Sequence, residues 1–103
     1  MIARVSSEYV ELAHLVEFHM ELRREILPAY ESANGILSLL VLQRSLIAYN
    51  EIMIVSLWES EEAARNYANS ERVHSGSVKE LGIITHDPFA FEVLSTWSSE
   101  DPT

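Results

Sequence analysis

A chain of 103 residues, 48% hydrophobic and without cysteine, has enough apolar material for one packed domain and no means of stapling it with disulfides or thiolate-bound metal. Sixteen Asp and Glu against seven Lys and Arg leave a net charge of −9, a surface that repels phosphate backbones and excludes nucleic acid as a partner. The longest nearly unbroken apolar run, Ile36 to Leu42, is too short to cross a bilayer, and no basic segment leads an apolar one at the N-terminus. A soluble, cytoplasmic domain without a membrane partner is the expectation, spanning residues 1–98 with 99–103 as a frayed polar tail.

Ile2 to Val5 reads as a short first strand, after which Ser6 and Ser7 suit the cap of a helix beginning near Glu8. Leu12, Leu15, His19, Leu22 and Ile26 recur at steps of three and four, with Val16, Met20 and Leu27 widening the stripe. Pro28 is expected to close this helix, because the residue before a proline is pushed away from helical angles. Asn34-Gly35 then signals a turn through its tolerance of positive φ. A strand follows from Ile36 to about Arg44, then a broad loop or bulge over Ser45 to Asn50, then a strand from about Glu51 to Trp58. Ser60 caps a second helix with Glu61 and Glu62 in its first turn, where the helix dipole favours acids, and Ala63, Ala64, Tyr67 and Ala68 on its apolar side. Ser70 restarts a helical segment that Gly82 ends, His86-Asp87-Pro88 turns the chain, and Phe89 to Trp97 alternates as the last strand.

The order β-α-β-β-α-β predicts an α+β, ferredoxin-like domain: an antiparallel sheet with helices on one face. On the first hairpin strand Ile36, Leu40 and Leu42 are expected to point one way and Leu37, Leu39 and Val41 the other. On its partner Ile52, Ile54 and Trp58 oppose Met53, Val55 and Leu57. Both faces are apolar, whereas a sheet with one wet face alternates with polar residues. Two helices cover one face only, so the other calls for a second copy of the chain, a homodimer packed sheet to sheet.

The segment WESEEA, Trp58 to Ala63, at the end of the third strand resembles the antibiotic biosynthesis monooxygenase (ABM) family of dimeric α+β barrels. Asn34-Gly35-Ile36 is similar to the glycine turn that the family often places before its second strand. The resemblance implies a pocket between the sheet and its helices. Some members there oxidise phenolic polyketides with molecular oxygen and no bound cofactor; others degrade haem. In the quinone-forming members an asparagine lies four residues before the tryptophan and a tyrosine six after it, positions held here by Ile54 and Ala64. The haem-degrading set of asparagine, tryptophan and histidine falls on Ser6 or Ser7, Tyr67 and Ser77.

His19 interrupts the apolar stripe of the first helix. Burial there would keep its imidazole neutral, either as a proton acceptor for a phenol or as a core histidine bonded to a carbonyl or tyrosine. Trp58 serves as a structural plug that could also wall the pocket, with Tyr67 and His74 as further pocket candidates. Arg44 and Arg65 suit surface ion pairs or an anionic ligand. His14 and His19 are five apart, off the step that would place two metal ligands on one helical face, so no metal site and no cofactor is expected. The functions left open are a cofactor-independent monooxygenase acting on a small aromatic or apolar molecule, a non-catalytic dimeric ligand-binding or stress-response domain, and, third, a haem-degrading monooxygenase.

Overall fold

The computed structural model describes residues 1–71, 83–85 and 89–97. Strand β1 runs over Ile2–Glu11, well beyond the predicted Val5. It pairs antiparallel with β3 in one unbroken register from Ile2 opposite Trp58 to Glu11 opposite Tyr49, so Ser6 and Ser7 face Ile54 and Met53 across the ladder and cap no helix. A serine pair prefers a cap only while its backbone lacks better partners. Here β1 is central, with strands on both edges, and those ladder bonds override the local preference.

The first helix therefore starts late, through a 3₁₀ turn at Leu12–His14 into α1, Leu15–Glu21. Pro28 does not end it. A π-turn at Leu22–Ile26, in which the Leu27 N–H reaches back to the Leu22 carbonyl, leads into α2, Leu27–Glu31, with Pro28 in its first turn. A proline within an α-helix lacks one N–H and its ring collides with the carbonyl four residues back; the extra residue of the π-turn opens the spiral just ahead of that ring. The same turn keeps Phe18, Leu22, Ile26 and Tyr30 on one buried face. At 3.6 residues per turn a run of four-residue steps drifts around an α-helix, and the wider π-turn takes the drift back. Leu12, Val16 and Met20, expected inside, are exposed, while Phe18 and Tyr30 hold the places in the core.

At Gly35 the chain adopts φ +85°, and a Cβ there would sit 2.6 Å from the Ala63 Cβ, so this turn admits glycine alone on two counts. Strand β2, Ile36–Ser45, and β3, Tyr49–Trp58, form a tighter hairpin than the broad loop expected, closed over Leu46 to Ala48 by the Leu46 N–H donating to the Tyr49 carbonyl at 2.7 Å. A bulge between Ile36 and Ser38 shifts the alternation: Ile36 pairs with Trp58 on the helix side, together with Leu39 and Val41, while Leu40 and Leu42 face the other way. Ile36 thus parts from Leu40 and Leu42, contrary to the simple two-residue period. Helix α3, Glu61–Glu71, begins where predicted, with the Ser60 Oγ accepting from the Ala63 N–H at 3.1 Å, and it runs through Ser70 without a restart.

The sheet order is β2-β3-β1, and the far edge of β1 carries two short strands, β4 at Ile83–Thr85 and β5 at Phe89–Glu92. The last strand is therefore split, and Val93 to Trp97 leave the ladder after one bond from the Val93 N–H to the Met1 carbonyl at 3.1 Å. Helices cover one face of the antiparallel sheet, the ferredoxin-like α+β arrangement. On the open face Leu40, Leu42 and Phe91 are 55%, 44% and 54% exposed, beside half-buried Met53, Val55 and Leu57. The expected segment from Val73 to Gly82, the turn His86 to Pro88 and the tail from Ser98 lie outside the described residues. Among those residues no helix is long and apolar enough to cross a membrane.

Candidate ligand site between α3 and β1

The corner where β3 gives way to α3 is built around Trp58. Its ring is fully buried, 5.2 Å from Tyr67 on α3 and 6.5 Å from Tyr30 on α2, and the two tyrosine rings stand 4.5 Å apart. These tilted rings, at 32° to 45° to one another, supply apolar area and favourable aromatic contact together. The one polar atom of the indole is satisfied: Trp58 Nε1 donates to Ser56 Oγ at 2.9 Å, and Ser56 Oγ in turn faces the Arg4 carbonyl at 3.5 Å. Trp58 is first of all a plug.

The face of β1 turned toward the helices is unusually polar for an interior surface. Arg4, Ser6, Glu8 and Val10 alternate along it, and Arg4 and Ser6 are buried. Across the ladder Ser56 flanks Arg4, Ile54 flanks Ser6 and Ile52 flanks Glu8. The Arg4 guanidinium lies over the Tyr67 ring, 5.8 Å from its centroid, a cation–π contact. Beside it a crevice of about 250 Å³ opens between β1, β5 and α3, lined by Ile2, Arg4, Ala64, Arg65 and Ala90 with Glu61 and Ala68. At its mouth Arg65 pairs with Glu61 at 2.7 Å, one helical turn apart and with both side chains largely exposed. A larger groove of about 550 Å³ lies on the opposite flank of α3, between Ala29, Ser32 and the Asn34-Gly35 turn, with Glu59 and Glu62 on its α3 side.

The predicted site residues separate into two places. Trp58 and Tyr67 meet at the corner, and Ala64, in the position where the quinone-forming members carry tyrosine, lines the crevice without a polar group. Ile54 is buried among core side chains. His19 is elsewhere: half-buried on α1, with its Nε2 2.6 Å from Gln43 Oε1 on β2. Gln43 pairs with Ile52, six residues from Trp58, so His19 acts about 20 Å along β3 from the tryptophan corner. His74 and Ser77 lie outside the described residues. Of the two serines aligned with the family asparagine, Ser6 faces the helices and Ser7 the open side. Arg44 serves neither flank of α3: on the open face it donates to Glu51, whose other carboxylate oxygen accepts from the Tyr9 hydroxyl at 3.2 Å. That hydrogen bond, first, and then the carboxylate charge and burial push the Tyr9 pKa up, against a smaller opposing pull from Arg44. Among the described residues no cluster of three carboxylates or imidazoles stands ready for a metal.

Arg4 is the residue that sequence reasoning passed over. The signal was there in the alternation Arg4, Ser6, Glu8, which is visible once the strand is carried past Val5.

A ferredoxin-like sheet with an aromatic corner at the third strand's end and a pocketed helix beyond it defines a class of small α+β domains. The chain belongs to the antibiotic biosynthesis monooxygenase family, whose profile matches residues 4–77. No curated relative matches. Among solved structures, a Deinococcus radiodurans protein described within that family superposes with a TM-score of 0.80 at 16% identity, covering 98% of this chain and 100% of that one. SnoaB of Streptomyces nogalater, described as a cofactor-independent oxygenase, gives 0.71 at 13% identity over 92% and 95%. A ferredoxin-like protein from an uncultured marine organism, described as dimeric, gives 0.68 at 15% over 94% and 97%. At such identities the likeness establishes the fold.

Proposed function

We propose that this chain is a homodimeric ABM domain that binds a small aromatic or otherwise apolar molecule in the crevice between α3 and β1, against the Trp58–Tyr67 corner. The observation that carries this reading is the crevice itself, with its apolar floor of Ile2, Ala64 and Ala90 beside the buried aromatic cluster. Its size suits a single ring. A cavity of about 150 Å³ already takes benzene, while larger ligands need sites of about 300–1,000 Å³. A haem or a tetracyclic polyketide exceeds this crevice. The dimer is supported by the apolar open face and by the dimeric description of one structural neighbour.

Oxidation without a cofactor is the second reading, favoured by similarity to SnoaB. Against it stand Ile54 and Ala64, which bring no acid–base group to the crevice, and the distance of His19 from Trp58. The domain is accordingly a binding module first. Titration with single-ring phenols and hydroquinones by calorimetry tests the binding; saturable binding that Ala64→Phe abolishes is the expected result. Oxygen uptake with the same panel tests turnover, and equal rates in wild type and His19→Ala would remove His19 from any mechanism.

A further inference from the structure

The crevice is not uniformly apolar, and its charge names a ligand class. Of the seven Lys and Arg in a chain of net charge −9, two line this one small opening, Arg4 at its inner wall and Arg65 at its mouth. Arg4 is 5% exposed, and its strand position fixes it there: alternation along the central β1 sends it to the helix side, where its guanidinium carbon lies 5.8 Å from the Tyr67 ring centroid. A guanidinium is a planar fork of donors, a shape that matches a carboxylate bidentately. Arg65 is free to join. Its pair with Glu61 joins two side chains that are 65% and 71% exposed, and such a pair contributes little and opens readily.

We propose that the crevice selects an aromatic or short apolar carboxylic acid, its ring against Ile2, Ala64, Ala68 and Ala90 and its carboxylate on Arg4, with Arg65 closing over the mouth. The proposal rests on the crevice being the ligand site and adds the charge of the ligand. A phenol is a poorer fit to this arrangement: with a pKa near 10 it is neutral at pH 7 and offers the guanidinium no charge, whereas a carboxylic acid is fully ionised there. A phosphate is disfavoured for a different reason, since its second negative charge would meet Glu61 at the mouth.

The test compares isosteres, benzoate against benzamide, by calorimetry and by NMR of the arginine Nε–Hε resonances. Benzoate is expected to bind about tenfold or more tightly than benzamide, the ratio that charge-assisted hydrogen bonds to one guanidinium provide. Benzoate should shift the Arg4 resonance. Arg4→Gln should erase the preference for benzoate over benzamide, while Arg65→Gln should weaken benzoate a few-fold. Equal binding of the two probes would overturn the carboxylate assignment and leave the binding reading intact. Binding of neither probe, nor of any neutral single-ring compound, would overturn both. If Arg4→Gln does not fold, the wild-type acid-to-amide ratio together with the Arg4 resonance decides: a ratio near one, or a benzoate shift confined to other arginines, refutes the proposal.

Discussion

The two faces of the sheet each depart from the usual pattern. The face under the helices, which should be greasy, holds Arg4, Ser6, Ser56 and Asn50 among its buried residues. The open face, which should be polar, presents Leu40, Leu42, Met53, Val55, Leu57 and Phe91. A buried polar row is informative because each such group must find a partner or cost stability, and an exposed apolar sheet is informative because monomers rarely carry one. Under the proposed function the inner face receives a guest and the outer one meets a second sheet. The polar exception on the outer face, Arg44–Glu51–Tyr9, sits at its hairpin end, where the three side chains satisfy one another across neighbouring strands.

Substitutions on each face should separate these roles. Trp58→Ala, on the inner face, removes the largest fully buried side chain and should cost about 3–5 kcal/mol in urea unfolding, whatever the assembly state. Gly35→Ala forces a positive φ on alanine and drives its methyl into Ala63; a loss of about 2 kcal/mol or more by the same measurement is expected. Leu40→Ser, on the outer face, should leave the chain folded but weaken association by about 1.5–3 kcal/mol per buried copy, read as a shift of the monomer–dimer midpoint by sedimentation. An equally strong effect of Leu40→Ser on a concentration-independent unfolding curve would break the comparison. For Tyr9 the sign follows from its raised pKa. The folded state prefers the neutral phenol, so its contribution is complete below the ordinary value of 10.0 and fades as pH climbs through the higher folded value. Tyr9→Phe should therefore flatten the alkaline limb of the stability profile, and ultraviolet titration should lose its late-ionising tyrosine. Arg65→Ala, which breaks only an exposed pair, should change stability by less than about 1 kcal/mol while still weakening a bound anion.

How much of this was legible in the sequence depended on whether the deciding chemistry was local. Ser60 as a cap, Asn34-Gly35 as a turn and Trp58 as a strand-end plug are read from one or two residues and their backbone needs, and the structure bears them out. Ser6 and Ser7 misled because a cap preference and a strand edge compete for the same backbone groups, and only the pairing of β1 on both sides decides between them. Pro28 misled because the π-turn that absorbs it lies upstream, and the Ile36–Ser38 bulge flips one side chain in a way no period-two count can detect. In the candidate site, Trp58 was read from the strand-end motif and Tyr67 from the apolar side of the second helix. Arg4 was hidden behind the truncated strand, and His19, which looked like an interior residue on the assumed stripe, proved half-buried once Phe18 took the inward position.

Sedimentation equilibrium at micromolar concentration addresses the open apolar face most directly. A species of twice 11.7 kDa that Leu40→Ser splits is the result expected of a face made to be covered by its own copy. A single 11.7 kDa particle at every concentration would mean that this greasy surface stays in water, contradicting the division of labour between the two sides.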